Sequence, residues 1–142
     1  MSSLYFNYHF HEILLGDQIA ELKGKLTGQR VLDVEGPTME TSVLIEGSFR
    51  GTEVMTYISK PISPGVIHGK AKGVMMSGGS EMVVSTGEGI GRIGPSGVKW
   101  HGCAFYRTSS TGKLAFLNNL VVLFETDVDT DGNFTEKIWE WK

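Results

Sequence analysis

Along most of the chain, polar residues alternate with apolar or small ones at a period of two, the spacing of a strand with one face against a core. In Leu4-Tyr5-Phe6-Asn7-Tyr8-His9-Phe10-His11 this puts Leu4, Phe6, Tyr8 and Phe10 on one side. Thr41 to Ile45 and Glu53 to Ile58 are rich in β-formers. From Val98 to Thr108, the set Val98, Trp100, Gly102, Ala104 and Tyr106 alternates with Lys99, His101, Cys103, Phe105 and Arg107. Leu120-Val121-Val122-Leu123-Phe124 is a continuous apolar run, which predicts a strand buried on both sides. Thr130-Asp131-Gly132-Asn133 predicts the turn into a hairpin partner over Phe134 to Trp141. Lys60 to Gly65 is expected to be a loop, since Pro61 and Pro64 each lack the N–H that a ladder needs. Helix is expected only as single turns near His11 to Leu15 and around Lys113 to Asn118.

Glycine placement sharpens this picture. The chain has 19 glycines and 4 prolines. Four segments read Gly-x-x-x-Gly, at Gly24–Gly28, Gly47–Gly51, Gly69–Gly73 and Gly87–Gly91. Repeated glycine opposes helix, at about 1 kcal/mol per position. As strands, the segments put Leu26, Phe49, Ala71 and Gly89 between glycines on one face, with mostly charged or polar residues opposite. The small face should look inward, and recurrent inward glycine suits a sharply curved, closed sheet. The predicted fold is all-β: a single closed antiparallel barrel of about eight strands, spanning residues 1–142 as one domain.

Composition limits the partners. The chain's 142 residues carry 13 basic and 16 acidic side chains, a net charge of −3, which does not favour a phosphate backbone or nucleic acid. A single cysteine, Cys103, excludes an internal disulfide and a multi-cysteine zinc site. No apolar run approaches the roughly 20 residues of a membrane helix. Met1-Ser2-Ser3-Leu4-Tyr5 lacks the layout of a signal peptide, so the expected location is cytoplasmic, with no membrane partner.

At Ser110-Thr111-Gly112-Lys113-Leu114-Ala115-Phe116-Leu117-Asn118-Asn119 the sequence resembles the turn before one of the last strands in barrels of the allene oxide cyclase type. It is similar also to small uncharacterised bacterial and archaeal proteins that share that barrel. Gly112, Leu114 and Leu117 match, while Asn118 and Asn119 stand where glycine is usual, a mild change because asparagine tolerates left-handed backbone. The resemblance spans residues 40–140 as a pattern. It implies an eight-stranded, calycin-like barrel whose lumen holds a small apolar molecule, and it carries over no catalytic residue.

Several constellations have residue types that could carry chemistry. His9 and His11 project from one strand face and could ligate a metal, with Glu12, His68 or His101 as a third ligand. The register turns His68 and His101 outward, so the pair reads better as polar or interface histidines, and no metal or other cofactor is expected. Asp127-Val128-Asp129-Thr130-Asp131-Gly132 copies the first half of a calcium loop, but the twelfth position is Ile138, so a hairpin turn is the better reading. Gly87 to Gly94 lacks the following helix that a nucleotide loop requires. Cys103 shares a face with His101, yet a strand cysteine more often packs as a small hydrophobe. Trp139 and Trp141 share a face that suits an oligomer contact, and a homo-oligomer is expected.

These residues support three functions. The first is a barrel binding a small apolar or amphipathic molecule, its wall formed by Leu26, Phe49, Ala71, Met75, Trp100 and Tyr106. The second is an isomerase or cyclase acting in that lumen, where Tyr106 and Thr41, or Glu125 or His9 if strands flip, would supply the chemistry. The third is a filled, ligand-free oligomer. No feature fixes a reaction or a ligand.

Overall fold

The computed structural model describes residues 15–141, the side chains from Gly16 onward. The expectations for Leu4 to His11, for the His9 and His11 pair, and for a helical turn starting at His11 fall on residues outside this range. Within it lie eight strands: β1 (Leu15–Asp33), β2 (Thr38–Ser48), β3 (Gly51–Ser63), β4 (Val66–Ser77), β5 (Glu81–Gly94), β6 (Gly97–Arg107), β7 (Leu120–Asp129) and β8 (Asn133–Trp141). Each pairs antiparallel with its sequence neighbours, and β8 pairs back onto β1, closing the barrel. The only helix among the described residues is a single 3₁₀ turn, Ala115–Leu117, inside the predicted Lys113–Asn118 piece. No helix there is long and apolar enough to cross a membrane.

The inward face of β4, β5 and β6 is the small and apolar one. Gly69, Gly73 and Met75 on β4 are buried while Lys70 and Lys72 are exposed. On β6, Trp100 and Tyr106 are buried while Lys99, His101 and Arg107 are exposed. One end of the barrel is packed solid by Ile45, Met75, Val83, Val122 and Ile138. Leu114 and Leu117, from the β6–β7 connection, close that end at 3% and 0% exposure. The two leucines of this connection are therefore core residues of the cap, which explains their spacing: three apart, they share one side of a tight helical turn.

Three expectations need correction. Gly47–Gly51 is not a strand: β2 stops at Ser48, and Phe49 and Arg50 form the turn into β3 with left-handed φ of 46° and 65°. Residues four apart are as easily two ends of a hairpin as two positions on one face. Lys60–Ser63 is strand, with Pro61 opposite Ile67. The β2 ladder onto β3 ends at Met39↔Ser59, so Pro61 sits where β3 has an open side and breaks no bond there. Finally, Leu120–Phe124 is not buried on both sides. Val122 is fully buried, while Val121 and Leu123 on the outer face keep partial exposure.

The cap is tethered by one carboxylate. Glu81, at the start of β5, accepts hydrogen bonds from Ser110 Oγ (2.5 Å) and the Leu114 N–H (3.1 Å). These bonds hold its carboxyl below the usual carboxylate range. The Glu81→Ala variant is expected to speed amide exchange at Leu114 and its 3₁₀ neighbours while the β-ladder amides keep their protection. Hydrogen-exchange mass spectrometry reads this directly, and unchanged cap exchange would count against the tether.

Candidate functional site

Beyond the packed end, the strands carry residues that do not make a uniform oily core. Parity sends Glu53, Met55 and Tyr57 of β3 inward together, and likewise Phe134, Glu136 and Ile138 of β8. Together with Ala71, Trp100, Tyr106 and Phe124, these strands enclose a lumen cavity of about 60 Å³. That volume holds a few waters or a ligand of only a few heavy atoms.

The glycines do not leave the lumen empty. A Cβ on Gly69 would lie 2.8 Å from the Trp100 ring, and one on Gly91 would lie 2.9 Å from it. The indole thus lies across the bare backbone of β4 and β5, with the Tyr57 ring meeting it edge-on at 5.5 Å and 70°. The Phe124 ring fills the hollow above Gly89 and Gly102 in the same way. At Gly73, a Cβ would fall 2.7 Å from Glu53 Oε1. Glycine thus makes room for aromatic rings and for one carboxylate.

The polar groups are unusual in their company. Glu53 is 5% exposed and accepts a bond from Ser48 Oγ at 3.5 Å. Glu136 accepts from Thr126 Oγ1 at 2.7 Å, and its remaining accessible surface borders the cavity. Desolvation pushes both carboxyls up to about 7, Glu136 being further raised by the nearby Glu53 charge. Burial, with both carboxylates added, holds the Tyr106 hydroxyl well above the ordinary phenol range. Burial also raises Tyr57, against a hydrogen bond with Thr41. No lysine, arginine or histidine lines the cavity among the described residues. Tyr106 is 3% exposed, and no protein group among those residues hydrogen-bonds its hydroxyl. Since no fully enclosed side-chain oxygen or nitrogen there lacks a partner, the open valence of the hydroxyl faces the cavity.

Of the six predicted wall residues, Ala71, Trp100 and Tyr106 line the cavity. Leu26 packs against the core beside the β7–β8 turn, where its N–H bonds the Gly132 carbonyl at 2.9 Å. Met75 belongs to the packed end, and Phe49 stands in the β2–β3 turn against Phe116, centroids 5.9 Å apart. Thr41 is buried, and its hydroxyl accepts from Gln29 Nε2 at 3.3 Å. Glu125 lies outside, 3.0 Å from His101 Nε2, and His68 pairs with Glu88 on the same outer surface at 2.5 Å. Cys103 is on that outer face, half-buried. Asp129 is used by the turn, where its Oδ1 accepts the N–H groups of Asp131 and Asn133, each at 2.9 Å. The Asn133 side-chain amide, donating to Oδ2 at 2.9 Å, together with these backbone bonds lowers its pKa, and Ile138 is fully buried in the core. Gly87–Gly94 runs inside β5.

The sequence reading missed Glu53 and Glu136. The available signal was parity: Glu136 stands between Phe134 and Ile138 on one face, a carboxylate where apolar residues flank it at both i±2 positions.

This barrel has a structural counterpart. A crystal structure of a protein with unknown function from Clostridium acetobutylicum superposes with a TM-score of 0.65 at 12% identity. The match covers 89% of this chain and 98% of that one, so the two share the barrel fold. No protein-family model and no protein of curated function matches the chain.

Proposed function

We propose that this barrel binds a small amphipathic molecule in its lumen. One observation carries the reading: a lumen cavity in which the free valence of Tyr106 and the carboxylates of Glu53 and Glu136 face aromatic walls. Buried polar groups are ordinarily satisfied, and a cavity left polar inside an apolar shell is what a ligand or ordered water completes. At about 60 Å³ the lumen suits an occupant of a few heavy atoms and is too small for a long acyl chain. The proposal extends to kinship with the allene oxide cyclase-type barrels through Gly112, Leu114 and Leu117, and to self-association through the outer sheet. There Val54, Val74 and Val84 stand in register across three strands, at 50%, 37% and 45% exposure.

A native mass spectrum of freshly purified protein, with a denatured one beside it, tests both parts. Extra mass of small-molecule size, lost on denaturation, is the expected result, with subunit masses in multiples. Clean apo monomers under gentle conditions would count against both.

A second reading has its own observation. Two buried carboxyls that titrate near 7 suit an acid and a base for proton transfer at neutral pH. On that reading Tyr106→Phe would leave binding largely intact and reduce turnover, whereas a pure binder has no turnover to lose.

A further inference from the structure

We infer that the lumen's occupant is a small primary amine bound as its ammonium ion, held between Glu53, Glu136 and Tyr106. This rests on the lumen-binding reading and names its ligand class. An ammonium group carries three N–H donors and no acceptor. The cavity offers the complement: the carboxylate of Glu53, the Glu136 Oε1 that Thr126 leaves free, and the phenol oxygen of Tyr106. Acid groups alone would not select a ligand, but here they share the lumen with the Tyr106 hydroxyl, which is 3% exposed and has no hydrogen-bond partner among the described residues. An anion is disfavoured, since no basic side chain lines the space among the described residues. A neutral alcohol brings one donor where the site presents several acceptors. The alkyl part of the amine meets Trp100, Tyr57 and Phe124, whose ring faces attract a cation and shed water from methylene groups. Size completes the argument, because a two- or three-carbon amine matches the volume and a bulky one does not.

The charge of the site follows the groups that face it. Glu53 and Tyr57 come from β3, Tyr106 from β6 and Glu136 from β8. From β5 come neutral Ser85 and Thr86 and also Glu88, whose carboxylate turns to the outer surface and pairs with His68; Thr126 on β7 is neutral, and β4 offers only glycine and alanine to the cavity. Both phenols stay protonated at neutral pH, so the inward carboxyls Glu53 and Glu136, each raised to about 7, set the charge of the lumen there. Because an ammonium ion favours their ionised forms, binding strengthens as pH rises from 6 to 8.

The test is an NMR titration of the full chain with ethylammonium chloride at matched ionic strength. The Trp100 indole and Tyr106 amide signals are followed, and ethanol and acetate serve as probes of the same size. Ethylammonium should saturate these signals with a Kd on the order of 1 mM, near the ceiling for three heavy atoms. Binding should weaken about tenfold in Glu136→Gln and tighten from pH 6 to pH 8. In Tyr106→Phe, which keeps the ring and removes one acceptor, it should weaken by a few fold. Equal saturation by ethanol or acetate would overturn the amine assignment while leaving a ligand-binding lumen. Failure of ethylammonium to shift lumen signals in the wild-type chain would overturn it too. The native mass spectrum, which uses no such probe, then decides separately whether the lumen reading falls.

Discussion

Glutamine in place of Glu136 is expected to raise the urea midpoint of the ligand-free protein at pH 8 and to leave it nearly unchanged at pH 4.5. The folded barrel holds this carboxyl at about 7 against an ordinary value of 4.5. A raised folded-state pKa means that the native state binds the proton more tightly than the unfolded chain does. Its contribution is fully present below 4.5 and is lost as pH rises towards 7, after which the loss is constant. At about 1.4 kcal/mol per unit, the ceiling is about 3 kcal/mol for this one group. Glutamine keeps an oxygen to accept the Thr126 bond and has no charge to bury, so it escapes the loss. Glu53→Gln should behave alike, and the pair should be sub-additive, because removing one charge relaxes the other. Urea unfolding of wild type and both variants across pH 4.5 to 8 checks this. A midpoint difference that does not grow with pH would show that neither carboxyl is held neutral.

The second large effect concerns a single methyl group. Gly102→Ala should destabilise the barrel by about 3 kcal/mol or more, at or beyond the upper end for overpacked cores. A Cβ there would run into the Glu88 carbonyl oxygen and lie 2.6 Å from Phe124 Cζ and 2.7 Å from Gly89 Cα. The backbone of the neighbouring strand cannot retreat without breaking the Gly89↔Gly102 pairing. Gly28→Ala is the matched control. No atom lies within 4 Å of its Cβ position and its φ is not left-handed, so alanine should change stability by less than about 0.5 kcal/mol. Thermal melts of the two variants side by side give the comparison, and similar melting temperatures would refute the ring-over-glycine account of the wall.

The strand faces were legible where the two sides of a strand differ in kind. Between Lys70 and Lys72 only Ala71 can face a core, and Trp100 flanked by Lys99 and His101 has one sensible direction. Two features were hidden for different reasons. At Phe49 and Arg50 the left-handed backbone is imposed by the tight β2–β3 connection, and neither residue type announces it. The fate of the inward glycines depends on cross-strand register. Trp100 finds its bed only because Gly91 is its partner on β5 and Gly69 lies one strand beyond. Composition suggested open volume, whereas pairing filled most of it. Glu53 and Glu136 were overlooked because a lone carboxylate is ordinarily assigned to water, and strand parity overrides that habit.

Closure of the sheet has a temporal side. The seam between β1 and β8 joins residues as distant as Leu15 and Trp141, whereas every other ladder joins strands that are neighbours in sequence. Loop-closure entropy makes this seam slow to form, and a growing chain must release its last strand before the seam can form at all. Until then the ring is an open, twisted ribbon with no enclosed space. A small molecule therefore has two routes in: capture as the ribbon closes, or passage through a later opening of one seam. Refolding the denatured chain with and without the amine would separate a compound captured at birth from one exchanged throughout the life of the protein.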